Sequence, residues 1–480
     1  MRTSLLLLAI LIGCGGGDGD LDLGALRAQF QLVVPRDGGL AVHRRQEVRW
    51  RSFPSAESYT VEVWADANRT VLHERREDLT ATTCRIETDM LDGREYWVEV
   101  HALSRSGQRL GTTVASRMRV RAIPDWMPDF ETPHLDTTAN QGGFVLTNLI
   151  HRNQRTRSPE RIPVMLLFNG WGELVWWYLH PDPGTLTATK ITPRGTIYYL
   201  IRQPGSDGLT VTTAYEIDWD GNVLWQSTEG ERPHHEISDH PDGVMYLTYE
   251  VETYDGVDYE GDGIQIVDRD TNELLWEWLI FDYFDPRDYQ DFPEINNIGL
   301  SRLGLDWSHS NAVVWDEARG LIWVSVRHLD RLIGIDYPSG DIVITIGDEG
   351  LGGEGLIGHQ HAPEIQPDGS ILLWDNGNGK NPQQSRAVQF AFDEMAGTID
   401  VVFEWIDNPP FYDPAVGDAN RLPNGNTLIT AGVSGRLIEV TPAGRIVWEK
   451  RFDDGPEYWQ YRAELVPDEL VPAAIRALSD

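Results

Sequence analysis

The sequence predicts an all-β protein, in which a small β-sandwich is followed by a six-bladed β-propeller. In the first part, residues 47–50, 58–64 and 96–100 alternate polar and apolar side chains with period two, which is typical of half-buried strands. Further on, a unit of strand, turn and apolar strand recurs six times, at a period of roughly fifty residues. No intervening segment has helical periodicity before residues 462–478. Such even repetition of strands favours a propeller over one large sandwich.

The six copies share a first strand that ends on an acidic or small residue, then a turn, then an apolar strand that often closes on tryptophan. They begin at Phe168, Ile217, Val267, Ile335, Phe392 and Val440. We interpret each copy as the outer hairpin of one blade, and we place the propeller at residues 125–480. The preceding strands, at residues 30–121, resemble a fibronectin type III-like domain, with Trp50 early and the strand 96–100 late.

The N-terminus has the pattern of a bacterial lipoprotein signal peptide. Arg2 precedes the apolar run 5–12, which is too short to span a bilayer, and Leu11-Ile12-Gly13-Cys14 resembles a lipobox. We therefore expect a signal peptide at residues 1–14, lipidation of Cys14 and a flexible Gly/Asp tether at residues 15–29. This predicts a lipid-anchored protein of the bacterial cell envelope, on its periplasmic or outer surface. An ordinary signal peptide with a chance cysteine is the alternative.

Charge and cysteine content narrow the possible functions. The chain has a formal net charge of −35, which argues against nucleic-acid binding because phosphates repel such a surface. Of its 2 cysteines, only Cys84 accompanies Cys14, so no internal disulfide is expected.

Three histidine-bearing loops each precede a predicted strand. They hold His234-His235, then His309 within Asp306-Trp307-Ser308-His309-Ser310-Asn311, then His359-Gln360-His361. A propeller directs the starts of its innermost strands to one end of a central channel, so these histidines should meet there. Arg327, on the strand after the His309 loop, would join them. Neighbouring cations keep an imidazole unprotonated and nucleophilic, and a guanidinium binds anions. The set therefore suits transfer of an anionic group.

Residues 125–480 resemble the bacterial arylsulfate sulfotransferase family. The resemblance rests on seven stretches that occur in the family's order, at residues 234–236, 306–311, 325–330, 360–363, 374–377, 385–387 and 417–426. It implies transfer of a sulfuryl group from a phenolic sulfate ester to another phenol, without a nucleotide sulfate donor, cofactor or metal.

The resemblance also implies a role for individual residues. His361, as the histidine of the Gln-His pair, would attack sulfur and carry the group as N-sulfohistidine. The residues that would bind the sulfuryl oxygens are His235, His309, Asn311 and Arg327, with a histidine among them as acid and base. Trp171 and Tyr178 are candidate aromatic residues for the phenol. Glu364 adds a negative charge that an anion site would not require.

Other functions stay open at this stage. His359 and His361, with His235 and His309, could ligate a metal, although Arg327 would repel the cation. A surface lipoprotein whose propeller binds a ligand or partner without catalysis is a second alternative. The acidic stretch 255–262 lacks the spacing of a calcium loop and is interpreted as solvated. The remaining histidines, His328 among them, are interpreted as structural or surface residues. The natural donor, the acceptor and the oligomeric state are not predicted.

Overall fold

The computed structural model describes residues 30–41, 46–91, 93–120, 123, 127–128, 130–151, 163–205, 210–289, 303–452 and 458–478. The chain divides into two compact units, Met1–Ala122 and Ile123–Asp480. Cys14, the predicted signal peptide and the predicted tether lie outside the described residues, so lipidation stays a prediction.

The first unit contains nine described strands in two sheets. They are β1 (Leu32–Val34), β2 (Gly39–Ala41), β3 (Glu47–Trp50), β4 (Ser58–Trp64), β5 (Leu72–Leu79), β6 (Thr83–Arg85), β7 (Glu95–Leu103), β8 (Arg109–Thr112) and β9 (Ser116–Val120). One sheet has the order β1-β3-β6 and the other β2-β9-β7-β4-β5, with β8 on β7. Both contribute to one core, which includes Trp50 and Tyr96. The alternating residues of each strand thus give a two-layer sandwich.

The second unit begins with β10 (Phe130–Leu135) and then forms successive antiparallel sheets, which we number as blades. Blade 1 has β11 (Phe144–His151), β12 (Val164–Asn169) and β13 (Leu174–Leu179). Blade 2 has β14 (Thr185–Ile191), β15 (Ile197–Pro204), β16 (Thr210–Ile217) and β17 (Val223–Gln226). Blade 3 has β18 (Pro233–His240), β19 (Gly243–Tyr254), β20 (Val257–Val267) and β21 (Leu274–Leu279), and β22 (Leu305–Asp306) pairs with β20.

The remaining blades continue the same pattern. Blade 4 has β23 (Ser310–Asp316), β24 (Leu321–Val326), β25 (Arg331–Asp336), β26 (Ile342–Gly347) and β27 (Leu351–Gly352). Blade 5 has β28 (His361–Ile365), β29 (Ile371–Asp375), β30 (Arg386–Asp393) and β31 (Thr398–Trp405). Blade 6 has β32 (Asp418–Arg421), β33 (Thr427–Ala431), β34 (Arg436–Val440) and β35 (Ile446–Phe452). Strands β36 (Tyr458–Trp459) and β37 (Ala463–Val466) follow, and both pair with β11.

Both ends of the second unit close its ring of blades. β10 pairs with β35 at the outer edge of blade 6, and β37 pairs with β11 as the innermost strand of blade 1. The first strands of blades 2 to 6 contact one another in sequence, and β37 contacts both β14 and β33. The described residues therefore form a six-bladed propeller, and the predicted all-β fold is confirmed.

The tryptophans of the sequence repeat have a structural purpose. Each of the six copies is the outer hairpin of a blade, as its position between the third and fourth strands shows. Four of these tryptophans donate their indole N–H to the corresponding turn of the next blade: Trp176 to the carbonyl of Trp219, Trp225 to the side chain of Asn272, Trp276 to the carbonyl of Pro338, and Trp405 to the carbonyl of Gly444. Neighbouring blades are thereby joined at their outer edges, and apolar clusters fill the space between them.

Helical structure is sparse in the described ranges. It consists of 3₁₀ turns at Ile280–Asp282, Pro286–Tyr289, Arg327–Leu329 and Asp468–Leu470, and one α-helical turn, α1 (Ala473–Arg476). None of the helices found there is long and apolar enough to cross a membrane. The acidic stretch 255–262 lies in the hairpin of β19 and β20, where its residues pair across the two strands.

Candidate active site

A cavity of about 270 Å³ lies where the innermost strands begin. His235 of blade 3, His309 before blade 4 and His361 of blade 5 all line this cavity, together with Arg327. The predicted convergence of the three histidines therefore occurs, but His235 and His361 lie in the first strands β18 and β28 and not in loops ahead of them. The other residues of the wall are Ile150, Thr185, Thr187, Arg202, Thr212, His234, Tyr249, Ala415, Val416, Trp459 and Tyr461.

Irregularities in the innermost strands help to direct these side chains. The pairing register shifts between His234 and Ile237 in β18, and between His361 and Glu364 in β28. His235 and His309 have φ of 56° and 50°, a left-handed conformation that is unfavourable for most non-glycine residues. Such bulges turn a side chain away from the regular alternation of a strand and are frequent beside active sites.

His361 is held in one tautomer. Its Nδ1 lies 2.6 Å from Oδ1 of Asn376. The amide nitrogen of Asn376 donates to the carbonyl oxygens of Asp413, at 2.6 Å, and Val416, at 3.0 Å, which fixes Oδ1 as the atom that faces the ring. Because Oδ1 can only accept, Nδ1 of His361 must carry the proton. The unprotonated nitrogen is therefore Nε2, on a ring that lines the cavity.

The partner of His309 is a carboxyl group rather than an amide. Nδ1 of His309 hydrogen-bonds to the side chain of Asp306. Burial, and after it the nearby Asp262, raises the pKa of Asp306 to about 8. Burial and then Arg327 lower the pKa of His309 to about 3. The two shifts in pKa together favour a neutral pair, in which the carboxyl of Asp306 donates to Nδ1 and Nε2 of His309 carries the N–H.

His235 is the third ring held through Nδ1. That atom lies 2.6 Å from Nδ1 of His234, whose Nε2 lies 3.2 Å from Oδ1 of Asp262. Although burial alone would raise it, the contact with His234 and a hydrogen bond from Ser308 hold the pKa of Asp262 at about 2. His234 also stacks on Tyr249, with ring centroids 4.0 Å apart. In His235, His309 and His361 alike, Nδ1 is engaged within the protein, so Nε2 is the nitrogen left for a ligand.

Burial and positive charge keep these rings neutral. Burial is the largest cause that holds the pKa of His361 well below its usual value, and the charge of Arg327 is the next. Burial also lowers the pKa of His235, with His309 as the second cause. Arg327 donates from Nη2 to the carbonyl oxygen of Pro414, at 3.1 Å, so its guanidinium extends from blade 4 to the loop that precedes blade 6. The cavity thus combines neutral imidazoles with permanent positive charge.

Comparison with known families identifies the second unit. The family model for Arylsulfotransferase (ASST) matches residues 151–449, which is more than half of the chain. The chain belongs to the arylsulfotransferase family. Membership supports a sulfotransferase enzyme, and the matched range contains His235, His309, Arg327 and His361.

Similarities to other proteins are weaker. No curated protein matches the chain. A protein of unknown function from Bacteroides caccae has 15% identity, covers 67% of this chain and 98% of its own, and gives a TM-score of 0.41. AztD from Citrobacter koseri has 8% identity, with 67% and 98% coverage and a TM-score of 0.35. An Fn3-like protein from Clostridium thermocellum has 15% identity, covers 20% of this chain and 91% of its own, and gives a TM-score of 0.16. None of these three indicates an activity.

Several residues predicted for the arylsulfotransferase site lie away from the cavity wall. The amide of Asn311 donates to the carbonyl oxygen of Gln360, at 2.7 Å, and so supports the backbone just before His361. Trp171 borders a separate surface cleft, and Tyr178 lies in β13 beside Tyr199, so neither of these candidate aromatic residues lines the cavity.

Glu364 is likewise directed away from the cavity. Its carboxylate accepts hydrogen bonds from the side chain of Gln366 and the backbone N–H of Arg421, both at 2.8 Å. The negative charge noted in the sequence therefore does not lie at the cavity wall.

The structure adds residues that the sequence did not indicate. Tyr249, Tyr461 and Trp459 supply the aromatic wall, and Arg202 supplies a second guanidinium. His328, interpreted from sequence as structural or surface, stacks on His309 with ring centroids 4.7 Å apart. Asn376 belongs to the motif Trp374-Asp375-Asn376-Gly377, to which no role had been given. This motif could have indicated Asn376 from the sequence. The aromatic residues of the cavity wall come from unrelated strands, and no sequence pattern indicated them.

Metal binding fits these residues poorly. Within the described ranges, the groups with ligand atoms within 4.8 Å of one another are Asp306–His309–His328 and Glu62–Glu99–His101. The set of His359, His361, His235 and His309 considered above is not one of them. In the first group, burial is the largest cause that lowers the pKa of His309 and His328; the charge of Arg327 contributes to both and would oppose a cation in the same way.

Proposed function

We propose that this arylsulfotransferase moves a sulfuryl group from a phenolic sulfate ester to a phenol, through an N-sulfohistidine at Nε2 of His361. The observation that carries the proposal is the hydrogen bond from Nδ1 of His361 to the fixed amide oxygen of Asn376. It leaves a basic lone pair on Nε2 at neutral pH, beside the permanent charge of Arg327. No nucleotide donor enters this scheme.

In the first half-reaction, the lone pair of Nε2 forms a bond to sulfur while the bond from sulfur to the aryl oxygen breaks. The departing oxygen takes the Nε2 proton of His309, and the proton of Asp306 moves to Nδ1 of the same ring. A phenol leaves, His361 carries the sulfuryl group as a sulfoimidazolium, and Asp306 is now an anion. The hydrogen bond between Asp306 and His309 supports this proton transfer, because it links the carboxyl group that supplies the proton directly to the imidazole that donates it to the phenol.

The second half-reaction reverses these steps with a new phenol. Nε2 of His309 takes the phenolic proton, and Nδ1 returns its proton to Asp306. The phenolate oxygen forms a bond to sulfur as the bond to Nε2 of His361 breaks, and the electron pair returns to that nitrogen. Protons and charge balance over the cycle, so the transfer requires no external acid or base.

The sulfuryl oxygens need positive donors during both steps, because negative charge spreads over them in a loose transition state. Arg327 supplies two-pronged hydrogen bonding and a charge that does not titrate. His235 can join it as a hydrogen-bond partner, because its ring lines the same cavity and its Nδ1 is engaged by His234. Asn311 acts indirectly, by holding the carbonyl of Gln360 next to the nucleophile.

Mass spectrometry tests the proposal directly. The enzyme is mixed with an aryl sulfate and no acceptor, then quenched at neutral or alkaline pH, which spares an N-sulfo bond. We expect the peptide that contains His361 to gain one sulfuryl group, and His361→Asn to gain none and to lose turnover. His134→Asn, the same change at an exposed edge of blade 6, is the matched control and should behave as the parent.

Steady-state kinetics give a second readout. A covalent intermediate predicts parallel lines in double-reciprocal plots when donor and acceptor are both varied. An active His361→Asn variant, or intersecting lines together with an unmodified peptide, would contradict the proposal.

We further propose that the enzyme acts at the bacterial cell envelope, anchored by lipid on Cys14. The signal-peptide pattern of residues 1–14 supports this location. Lipidation at Cys14 would leave residues 15–29 as a tether between the membrane and the first described residue.

A further inference from the structure

One wall of the cavity belongs to blade 2, which contributes none of the histidines. Thr185 and Thr187 lie on β14, Arg202 on β15 and Thr212 on β16, and all four side chains line the cavity. Counted around a ring of six blades, blade 2 is three places from blade 5, which carries His361. This polar wall therefore faces the nucleophile from the opposite side of the channel.

The backbone register makes a compact group of three of these residues. Thr185 is the cross-strand partner of Arg202, and Arg202 is the partner of Thr212. Their side chains consequently project from the same face of the blade, at neighbouring positions. The two threonines are almost fully buried, with 5% and 7% of their surfaces exposed. The hydroxyl groups of Thr185, Thr187 and Thr212 make no hydrogen bond with any group in the part of the chain described here.

The charge of Arg202 is effective inside the cavity. It is among the causes that lower the pKa of His235 and of His309. The wall thus offers a guanidinium flanked by hydroxyl donors, a combination that matches the oxygen atoms of a carboxylate or similar oxyanion. Hydroxyls that line a cavity and engage no protein group can donate to the oxygen atoms of a ligand there.

The size and aromatic lining of the cavity restrict the ligand to one small ring. About 270 Å³ is just below the usual range for ligand pockets, and Tyr249 and Tyr461 supply aromatic surface. A phenol with its oxygen at His361 therefore extends its far end toward blade 2. We propose that Thr185, Thr187, Arg202 and Thr212 form a subsite for a carboxylate carried by the phenolic substrate, on the side away from the reacting oxygen. This inference rests on the proposed function, and it names phenolic acids as the preferred substrate class.

Two acceptors of equal length test the subsite: 3-(4-hydroxyphenyl)propanoate and its neutral amide. Their phenol groups have the same electronic environment, so the comparison isolates the remote charge. With 4-nitrophenyl sulfate as donor and nitrophenolate release as readout, we expect a KM about tenfold lower for the acid, or more. Arg202→Gln should bring the ratio of the two KM values to about one. Arg445→Gln, on an exposed outer turn of blade 6, should keep the parental ratio.

Isosteric variants cover the possibility that Arg202→Gln misfolds. Thr185→Val and Thr212→Val keep shape and remove one hydroxyl each, and each should lower the preference for the acid severalfold. A ratio of about one in the parent would overturn the proposal. So would an Arg202→Gln variant that slows transfer to acid and amide equally, because Arg202 would then act on the transferring sulfuryl group.

A binding measurement separates this inference from the proposed mechanism. Calorimetric titration of 3-(4-hydroxyphenyl)propanoate into the parent and into Arg202→Gln requires no turnover. If the protein transfers no sulfuryl group but the acid still binds about tenfold more tightly to the parent than to the variant, the mechanism fails and the subsite stands. Equal affinities would remove the subsite, whatever the outcome of the transfer assay.

Discussion

The exchange of Asn376 for aspartate tests why His361, the proposed nucleophile, is paired with an amide. In the parent, the amide oxygen holds the Nδ1 proton of His361 but cannot remove it or cancel its charge. The sulfoimidazolium therefore keeps a positive charge that is lost when sulfur departs, which makes the ring a good leaving group. Asn376→Asp places a carboxylate at the same position, where it stabilises that charge. We expect the sulfo-enzyme to form and then to react slowly with acceptor.

The magnitude follows from the distance. Nδ1 of His361 and Oδ1 of Asn376 are 2.6 Å apart, which puts the centres of the two charges about 4 Å apart in the variant. At an effective dielectric constant of about 20, that attraction is about 4 kcal/mol. If roughly half of the ring charge is lost in the transition state for desulfation, the barrier rises by about 2 kcal/mol, or about 30-fold in rate.

The variant also has a structural cost. The carbonyl oxygen of Val416 loses its donor, and that of Asp413 keeps only the hydroxyl of Ser385, at 3.2 Å. An unsatisfied buried group costs about 1–3 kcal/mol. A lower melting temperature is therefore expected and must be measured alongside the kinetics. Asn378→Asp is the matched control, since it makes the same chemical change two residues further along and has no hydrogen bond to His361.

Rapid-mixing experiments resolve the two half-reactions of Asn376→Asp. The first burst of phenol, with donor alone, reports sulfation of the enzyme. The decay of the sulfo-enzyme after addition of acceptor reports desulfation. Mass spectrometry should find the variant mostly sulfated in the steady state. The reasoning would be refuted by a variant in which only sulfation of the enzyme is slowed. It would also be refuted by a variant that turns over at the parental rate without accumulating sulfo-enzyme.

Three further predictions concern Asp306, Arg327 and Cys14. Asp306→Asn removes the proton held by the carboxyl group, so sulfates of weakly acidic phenols should react about 100-fold more slowly while nitrophenyl sulfate is little affected. In the parent, the rate with sulfates of weakly acidic phenols should fall as pH rises through about 8, the pKa of Asp306. The variant should show no such fall. Arg327→Lys keeps the charge but not the planar fork, so kcat/KM should fall about 100-fold or more while the pH profile persists; a shifted profile would contradict this. Cys14→Ser should move the protein from the membrane fraction to the soluble fraction; unchanged membrane attachment would count against a lipid anchor.

The fold was predictable because the residues that define its sequence repeat also make structural contacts in each blade. Turn residues and the closing tryptophans recur at each outer hairpin, and Trp176, Trp225, Trp276 and Trp405 each bind the turn of the following blade. The way the ring closes was less evident. Strand β10 completes blade 6 and β37 completes blade 1. Both are short strands at the ends of the domain and lie outside the sequence repeat, so their pairing partners could not be inferred from it.

The candidate site was predictable only where histidine and arginine marked it. His235 lies in β18, His309 directly precedes β23 and His361 begins β28, and the ring geometry brings these first strands together. The hydrogen-bond partners that decide their roles were not predictable, because Asn376 and Asp306 act through contacts that depend on local backbone shape. The aromatic wall was missed for a related reason. Tyr249 lies within β19, where sequence alternation cannot distinguish a cavity wall from the core between blades.

The partners of the two central rings explain how one cavity provides both a base and an acid. His361 and His309 are both neutral, since burial and Arg327 lower the pKa of each. They differ in what faces Nδ1: an amide oxygen forces the proton onto Nδ1 of His361, whereas the protonated Asp306 forces it onto Nε2 of His309. The two nitrogens directed at a substrate therefore have opposite character at the same pH. In the proposed reaction, positive charge for the sulfuryl group comes from the guanidinium of Arg327, which does not titrate, so anion binding and nucleophilicity need not compete for protons.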